Sequence, residues 1–183
     1  KKKALRVGAA IHPIEAHTPN ANITEHVIRE LKRSYRRVML AKNAPECLWD
    51  LCLQHVATLR SHTALSIRDL DGEVPAARLT GDTPDISHLV EFGWYDWVWF
   101  LSPEDVRMER RSLGRYVGHS SDIGDAICAR ILTEKGKFVS RTSVFPLTSE
   151  ETRSDTIRDR QRQFEESLKK ALGNRFALAK DVL

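Results

Sequence analysis

Cysteine is scarce in this sequence, and the few cysteines are scattered. The three of them, Cys47, Cys52 and Cys128, are an odd number at irregular spacing. Disulfide-stabilised secreted domains carry a dense and even set, so this pattern indicates reduced thiols in an intracellular protein. No Cys/His spacing in the sequence matches that of a structural zinc site.

Long apolar segments are also missing. The longest run is WVWFL at 97–101, far shorter than the roughly 20 residues of a membrane-spanning helix. The opening stretch, KKKALRVGAA, has neither the apolar region nor the cleavage site of a signal peptide. It also lacks an initiator methionine, so we expect the sequence to be a piece of a longer polypeptide.

Acidic residues are sparse where basic residues gather. The 183 residues carry a net charge of only +4, and this alone is weak evidence for nucleic acid because mildly basic enzymes are common. Between Asn22 and Lys42, however, six basic residues stand against two acidic ones. The six are Arg29, Lys32, Arg33, Arg36, Arg37 and Lys42.

Two amphipathic helices are predicted in this part of the chain. Apolar residues at helical spacing predict a first helix from about residue 23 to about residue 41. A second helix is predicted after Asn43, which can cap it, with Pro45 in the first turn and Glu46 completing a capping box. The apolar positions of the first helix are Ile28, Leu31, Tyr35, Val38 and Met39.

The pattern changes after a turn-rich connector, DLDGEVPAARLTGDTPDISHL at 69–89, in which only PAARL predicts a helical turn. Four short β-prone runs follow and predict a small antiparallel barrel. From Ser149 onward the sequence is highly charged with a thin apolar stripe, which predicts an amphipathic helix. The expected fold class is α+β. The four runs are FGWYDWVWFLS, SLGRYVGHS, DAICARILT and GKFVSRTSVFPL, and the stripe is Ile157, Phe164, Leu168 and Leu172.

Glu25 allows two interpretations. Asn22 precedes it by three residues, so the pair can close a capping box at the start of the first helix. Alternatively, the Glu25 carboxylate binds a metal ion while the basic residues behind it hold phosphates. Arg29, Lys32 and Arg36 follow at helical spacing on nearly the same face, and Arg33 and Arg37 extend the stripe. Local sequence favours the cap, and the stripe is equally compatible with DNA contact and with a solvated surface.

Histidines and aromatic residues offer weaker candidates. His12, His17 and His26 flank Glu25, but their spacing matches no zinc template, so they are interpreted as polar surface residues. Trp94, Tyr95, Trp97 and Trp99 form the densest aromatic cluster. In a strand, Tyr95, Trp97 and Trp99 share one face. Such rings either stack on bases or fill the core of a small barrel, and we favour the core.

Several motifs in a fixed order resemble the second half of the integrase of copia-type LTR retrotransposons, within the Pol polyprotein. HTPNANITE resembles the loop that leads to the last carboxylate of the catalytic triad. APECLWDLCL resembles the family's Trp-containing helix, and TGDTPDISHLVEFG its connector. LGRYVGHSS and FVSRTSVFPLTSEE resemble two strands of its Src-homology-3-like barrel. The resemblance covers roughly residues 5 to 150.

The resemblance implies a domain organisation. It implies the C-terminal helices of a ribonuclease H-like integrase core in residues 1–66, a connector in 67–88, a Src-homology-3-like barrel in 89–148 and a charged amphipathic helix with a tail in 149–183.

The resemblance also implies a function and a set of site residues. The family inserts element DNA into target DNA with Mg²⁺ or Mn²⁺, as a multimer that acts in a cytoplasmic particle and in the nucleus, with no membrane partner. Glu25 then corresponds to the catalytic metal ligand, while Pro19 and Asn22 position its loop. The DNA-binding residues implied are Arg29, Lys32, Arg33, Arg36 and Arg37.

Two features depart from the family. The triad's two aspartates are expected upstream, yet Glu15 is the only acidic residue between Lys1 and Thr24, so we expect this chain to be inactive alone. Ile23 and Thr24 also replace the usual Gly or Arg and a small residue, and Ala16 with His17 replaces Pro-Tyr. The alternatives are a decayed or co-opted module that binds DNA or protein without catalysis, and an adaptor with no element ancestry.

Overall fold

The computed structural model describes residues 23–65, 71–102, 110–120, 123 and 128–178. Its first helix, α1, is Ile23–Ala41, which confirms the predicted bounds. Asn43, however, does not cap the second helix as predicted. It adopts a left-handed φ of +50°, its N–H donates to the Leu40 carbonyl, and the Ala44 N–H donates to the Met39 carbonyl, both at 3.0 Å. This Schellman arrangement closes the C-terminus of α1.

The second helix begins later than the sequence predicts. A short 3₁₀ turn at Glu46–Leu48 follows Pro45, and α2 then runs over Trp49–Ser61 without a side-chain cap. Two short helices occupy the connector, namely α3 at Pro75–Thr80, which confirms the turn predicted for PAARL, and α4 at Ser87–Val90.

Five strands form one antiparallel sheet in the order β4-β3-β2-β1-β5. The mixed helix and strand content confirms the α+β class. The first strand is shorter than predicted because Tyr95 has a φ of +65°, which takes Trp94 and Tyr95 out of extended backbone. The strands are β1 Trp97–Phe100, β2 Ser112–His119, β3 Ala129–Leu132, β4 Phe138–Arg141 and β5 Val144–Pro146.

The two faces of the sheet pack into two apolar clusters. On one face, side chains of α1, α2 and the C-terminal helix pack against Trp94, Tyr95 and β-strand residues such as Val117 and Leu132. On the other face, side chains from all five strands pack together with Phe92, and these include Val98, Tyr116, Ile131, Val139 and Val144. Residues before and after the connector therefore share the first cluster, while the predicted domain boundaries stay a prediction.

The aromatic cluster lies in the core, as predicted. Trp94, Tyr95 and Trp99 are 2%, 1% and 5% exposed, so these rings are not available for stacking on bases. Trp97 contacts Phe164 edge-on, with 5.1 Å between ring centroids. Tyr95 lies outside the strand and does not share the strand face with Trp97 and Trp99.

The charged C-terminal segment is helical, as predicted, but in two pieces. Helix α5 is Ser149–Arg153, and its N-terminus has a capping box in which Thr148 and Glu151 bond each other's backbone N–H. Ser154 is extended, with ψ 129°, and interrupts the helix before α6, Asp155–Leu172. Phe164 and Leu168 are 3% and 0% exposed, so α6 is docked through the predicted stripe.

Arg115 connects α6 to the sheet. Its guanidinium lies 3.5 Å from the Trp97 ring centroid and 4.3 Å from that of Tyr95. It donates to Oε1 of Glu165 on α6 at 2.6 Å and to the Tyr95 carbonyl at 2.9 Å. Since only 14% of the Arg115 side chain is exposed, the cation depends on these partners for the interactions that water would otherwise supply.

We expect Arg115→Ala to lower the free energy of unfolding by about 2–4 kcal/mol, because it removes two ring contacts and a partly buried ion pair. Urea denaturation measures this change. Arg158→Ala is the matched control. Arg158 pairs with Asp155 on the surface of α6, and 56% and 94% of these two side chains are exposed. The control should cost less than about 0.5 kcal/mol, and equal effects of the two variants would contradict the role of Arg115.

Candidate nucleic-acid interface

Glu25 lies in the first turn of α1, and its side chain is exposed. The position suits an interaction with the positive end of the helix dipole or with a ligand at the helix start. Pro19 and Asn22, the residues predicted to position the loop, lie outside the described residues. The capping box that Asn22 would form with Glu25 therefore stays a prediction.

The five basic residues predicted to bind DNA are all exposed on α1. Arg33 pairs with Glu30 at 3.1 Å. Within the described ranges the other four have no carboxylate partner within salt-bridge distance, so their charge faces solvent. Lys42, the sixth basic residue of the segment, instead pairs with Asp96 before β1 and belongs to the fold. We call the exposed set, Arg29, Lys32, Arg33, Arg36 and Arg37, the α1 stripe.

The chemistry of a metal centre requires more ligands than Glu25 supplies. Among the described residues no three His, Cys, Asp or Glu side chains are placed to hold a metal ion together. His26 is exposed on α1, while His12 and His17 lie outside the described residues. A two-metal centre for phosphoryl transfer needs several carboxylates, so the described residues do not fit Mg²⁺ or Mn²⁺ by themselves.

Sequence reasoning did not find a cavity of about 210 Å³ that lies between α2, α4 and β2. Four histidines that are far apart in the sequence line it: His55, His62, His88 and His119. The His119 ring bonds the His88 carbonyl at 2.9 Å, and the two rings meet at 4.7 Å between centroids. No local motif could have revealed this grouping, because it depends on the packing of α2 on the sheet.

Burial controls the protonation of two histidines in this cavity, His55 and His119. His55 is 7% exposed, and desolvation, together with the charge of His119, lowers its pKa from 6.5 to about 4. Desolvation also lowers the pKa of His119, against the opposing effect of the His88 carbonyl. Both histidines are therefore neutral in the folded protein at pH 7, and the unfolded chain takes up protons on them first as the pH falls.

The free energy of unfolding should fall by about 2 kcal/mol between pH 7 and pH 5 from His55 alone. The unfolded state binds this proton below about pH 6.5 and the folded state only near pH 4, so stability is lost as the pH falls through that window. Urea denaturation at both pH values measures the loss. His55→Leu should reduce the difference, whereas replacement of the exposed His26 by Gln should leave it unchanged. An identical pH dependence in His55→Leu would contradict this assignment.

The described part of the chain has no helix that is both long enough and apolar enough to cross a membrane.

In comparisons with known proteins, no family model, no curated protein and no solved structure matches this chain.

Proposed function

We propose that this chain is a fragment of a copia-type retrotransposon integrase and that the α1 stripe binds duplex DNA. The observation that carries the proposal is the stripe itself, in which five exposed cations follow Glu25 along one helix and four of them have no carboxylate partner among the described residues. Exposed cations of this kind bind phosphates and release counterions from DNA. The ordered series of motifs around the helix adds support from sequence.

A Src-homology-3-like barrel belongs to the same proposal. β4 and β5 are consecutive strands at opposite edges of the sheet, and β4 ends at Arg141 while β5 begins at Val144, so the sheet has to curl to bring these edges together. Side chains from all five strands also pack into one cluster on a single face. These features support a Src-homology-3-like barrel after the helical segment.

Catalysis is proposed for the longer polypeptide and not for this chain. Two divalent ions would activate the attacking hydroxyl and stabilise the leaving oxygen when bound. Glu25 would be one ligand, and two upstream aspartates would supply the rest. The partners would be element ends, target DNA and further integrase subunits, in the cytoplasmic particle and the nucleus.

The alternative is a decayed or co-opted module that binds DNA or protein without catalysis. It is favoured by the lack of a metal-holding group among the described residues and by Ile23, Thr24, Ala16 and His17, which depart from the family pattern. The integrase fragment and a DNA-binding module both predict DNA binding by the α1 stripe, whereas a protein-binding module does not. Only the integrase proposal predicts that the longer polypeptide carries out strand transfer that requires Glu25.

Arg29→Ala combined with Arg36→Ala should weaken the binding of a duplex of about 20 base pairs. Loss of two phosphate contacts should lower the slope of log K against log salt concentration by about 2. Fluorescence anisotropy between low and moderate salt measures both quantities.

The matched control for the stripe is Lys169→Ala combined with Lys170→Ala, which removes two exposed cations from the end of α6. The control should retain the wild-type slope. Binding that is insensitive to salt, or equal losses in both double variants, would show that the stripe is a solvated surface.

Residues 1–183 should not join DNA ends, while a polypeptide extended by the upstream coding sequence should do so with Mg²⁺. In the extended protein, Glu25→Gln should abolish joining and leave duplex binding intact, because it removes a carboxylate and spares the cations. A gel assay of labelled element ends measures joining. If the upstream frame is broken, or if Glu25→Gln is fully active, the catalytic part of the proposal fails and the binding module remains.

A further inference from the structure

A second basic surface lies away from α1, at one end of the sheet. There a groove of about 520 Å³ opens where β1 ends and β2 begins, and the β3–β4 turn and one side of α6 form its other walls. This volume is within the range of sites for small ligands. Four separate chain segments contribute, so the groove exists only because α6 is docked on the sheet.

The floor of the groove is apolar. Trp99, Phe100 and Phe164 form its base and are almost wholly buried, and Leu113 and Val139 are half-buried beside them. Ser112 and Gln163 also line the groove, and within the described residues neither side chain has a hydrogen-bond partner. A ligand that enters this groove would therefore contact the half-buried Leu113 and Val139 and the small exposed parts of the three rings, with a hydroxyl and an amide beside them.

Four cations line the groove: Arg111, Lys135, Lys137 and Arg160. All four are exposed, and across the described ranges none of them lies within salt-bridge distance of a carboxylate, although the charge of Arg111 helps to lower the pKa of Glu151. Glu134 is the single acidic residue in the lining. Arg111 is held over the Phe145 ring at 5.0 Å. The turn at Gly136, whose φ is +70°, places the two lysines on either side of it.

Arginines on α6 differ in whether they pair with a carboxylate of the same helix. Arg158 and Arg162 pair with Asp155 and Asp159 within the helix, so their charges are partly compensated. Arg160, which faces the groove between them, has no such partner in the described structure. Of these three arginines, the one whose charge is not compensated is therefore the one that lines the groove.

We propose that this groove binds a nucleotide unit, with the base over the apolar floor and the phosphates on the four cations. An apolar floor with a few polar groups suits a base, and clustered Lys and Arg suit phosphate. The rigid backbone of a duplex would contact the rim alone, since its bases are stacked inside the helix. The bound nucleotide unit is either a free nucleotide or part of an unpaired strand. This site is independent of the integrase proposal and of the α1 stripe.

The test uses a variant with Lys135→Gln, Lys137→Gln and Arg160→Gln in the full chain. The matched control is Lys169→Gln combined with Lys170→Gln, which removes exposed cations of α6 outside the groove lining. The probes are a labelled single strand of eight thymidylates, ATP and inorganic tripolyphosphate. Circular dichroism and thermal melting confirm that both variants fold as the wild type does.

The groove variant should bind the single strand at least tenfold more weakly, and its salt slope should fall by about 2, since each phosphate contact to a single strand contributes about 0.7. The control should bind it like the wild type. Binding of ATP as well identifies free nucleotides as a source, whereas binding of the strand alone identifies nucleic acid.

Three results would overturn the proposal: no binding of either nucleotide probe, equal losses in the groove variant and its control, or tripolyphosphate binding as tightly as ATP and the strand. The last would mean that the base contributes nothing. Loss of duplex binding in the α1 variant does not bear on this outcome, so the failures of the two proposals can be distinguished.

Discussion

The architecture depends on one partly buried cation. Arg115 is the point where β2, the turn at Tyr95 and α6 meet, and its guanidinium contacts two rings and donates hydrogen bonds to Glu165 and a carbonyl oxygen. A desolvated guanidinium without these partners would be costly, so Arg115 favours this mutual arrangement of the three elements. The position of α6 then follows, with Phe164 against Trp97 and Leu168 in the core. The α6 wall of the basic groove is a consequence of the same contact.

Charges in this protein divide into those that hold the fold together and those that face outward. Arg115 with Glu165 and Lys42 with Asp96 join elements that are far apart in sequence. The α1 stripe and the cations of the groove are exposed, and most lack a carboxylate partner in the described part of the chain. A net charge of +4 therefore understates the positive potential at two local surfaces, because acidic residues elsewhere offset it only in the sum. This division is the physical basis for treating these two surfaces as candidate sites.

Features that depend only on neighbouring residues can be predicted from the sequence. The bounds of α1 and the turn at PAARL follow from periodicity and from Pro and Gly signals, and the structure has both. Asn43 shows where this fails, since asparagine suits both a helix start and a left-handed helix end, and only the backbone φ separates the two. Tyr95 shows a second failure, because its aromatic neighbours favour a strand although its own φ is positive. The partner of Arg115 lies 50 positions away, and the groove draws on four segments, so no window of sequence contains either.

The two proposed nucleic-acid surfaces differ in shape, and this difference implies different roles for them. From Arg29 to Arg37 the α1 stripe is a convex row about 12 Å long, at 1.5 Å per residue, and a convex helix face can approach a duplex backbone without unstacking any base. The groove is concave and apolar at its base, so it can gain binding energy from a base only when that base is unpaired. Strand joining exposes DNA ends next to duplex, and a protein with both surfaces would hold the two forms at once. The shape of each surface, more than its charge, therefore determines which form of nucleic acid it would select.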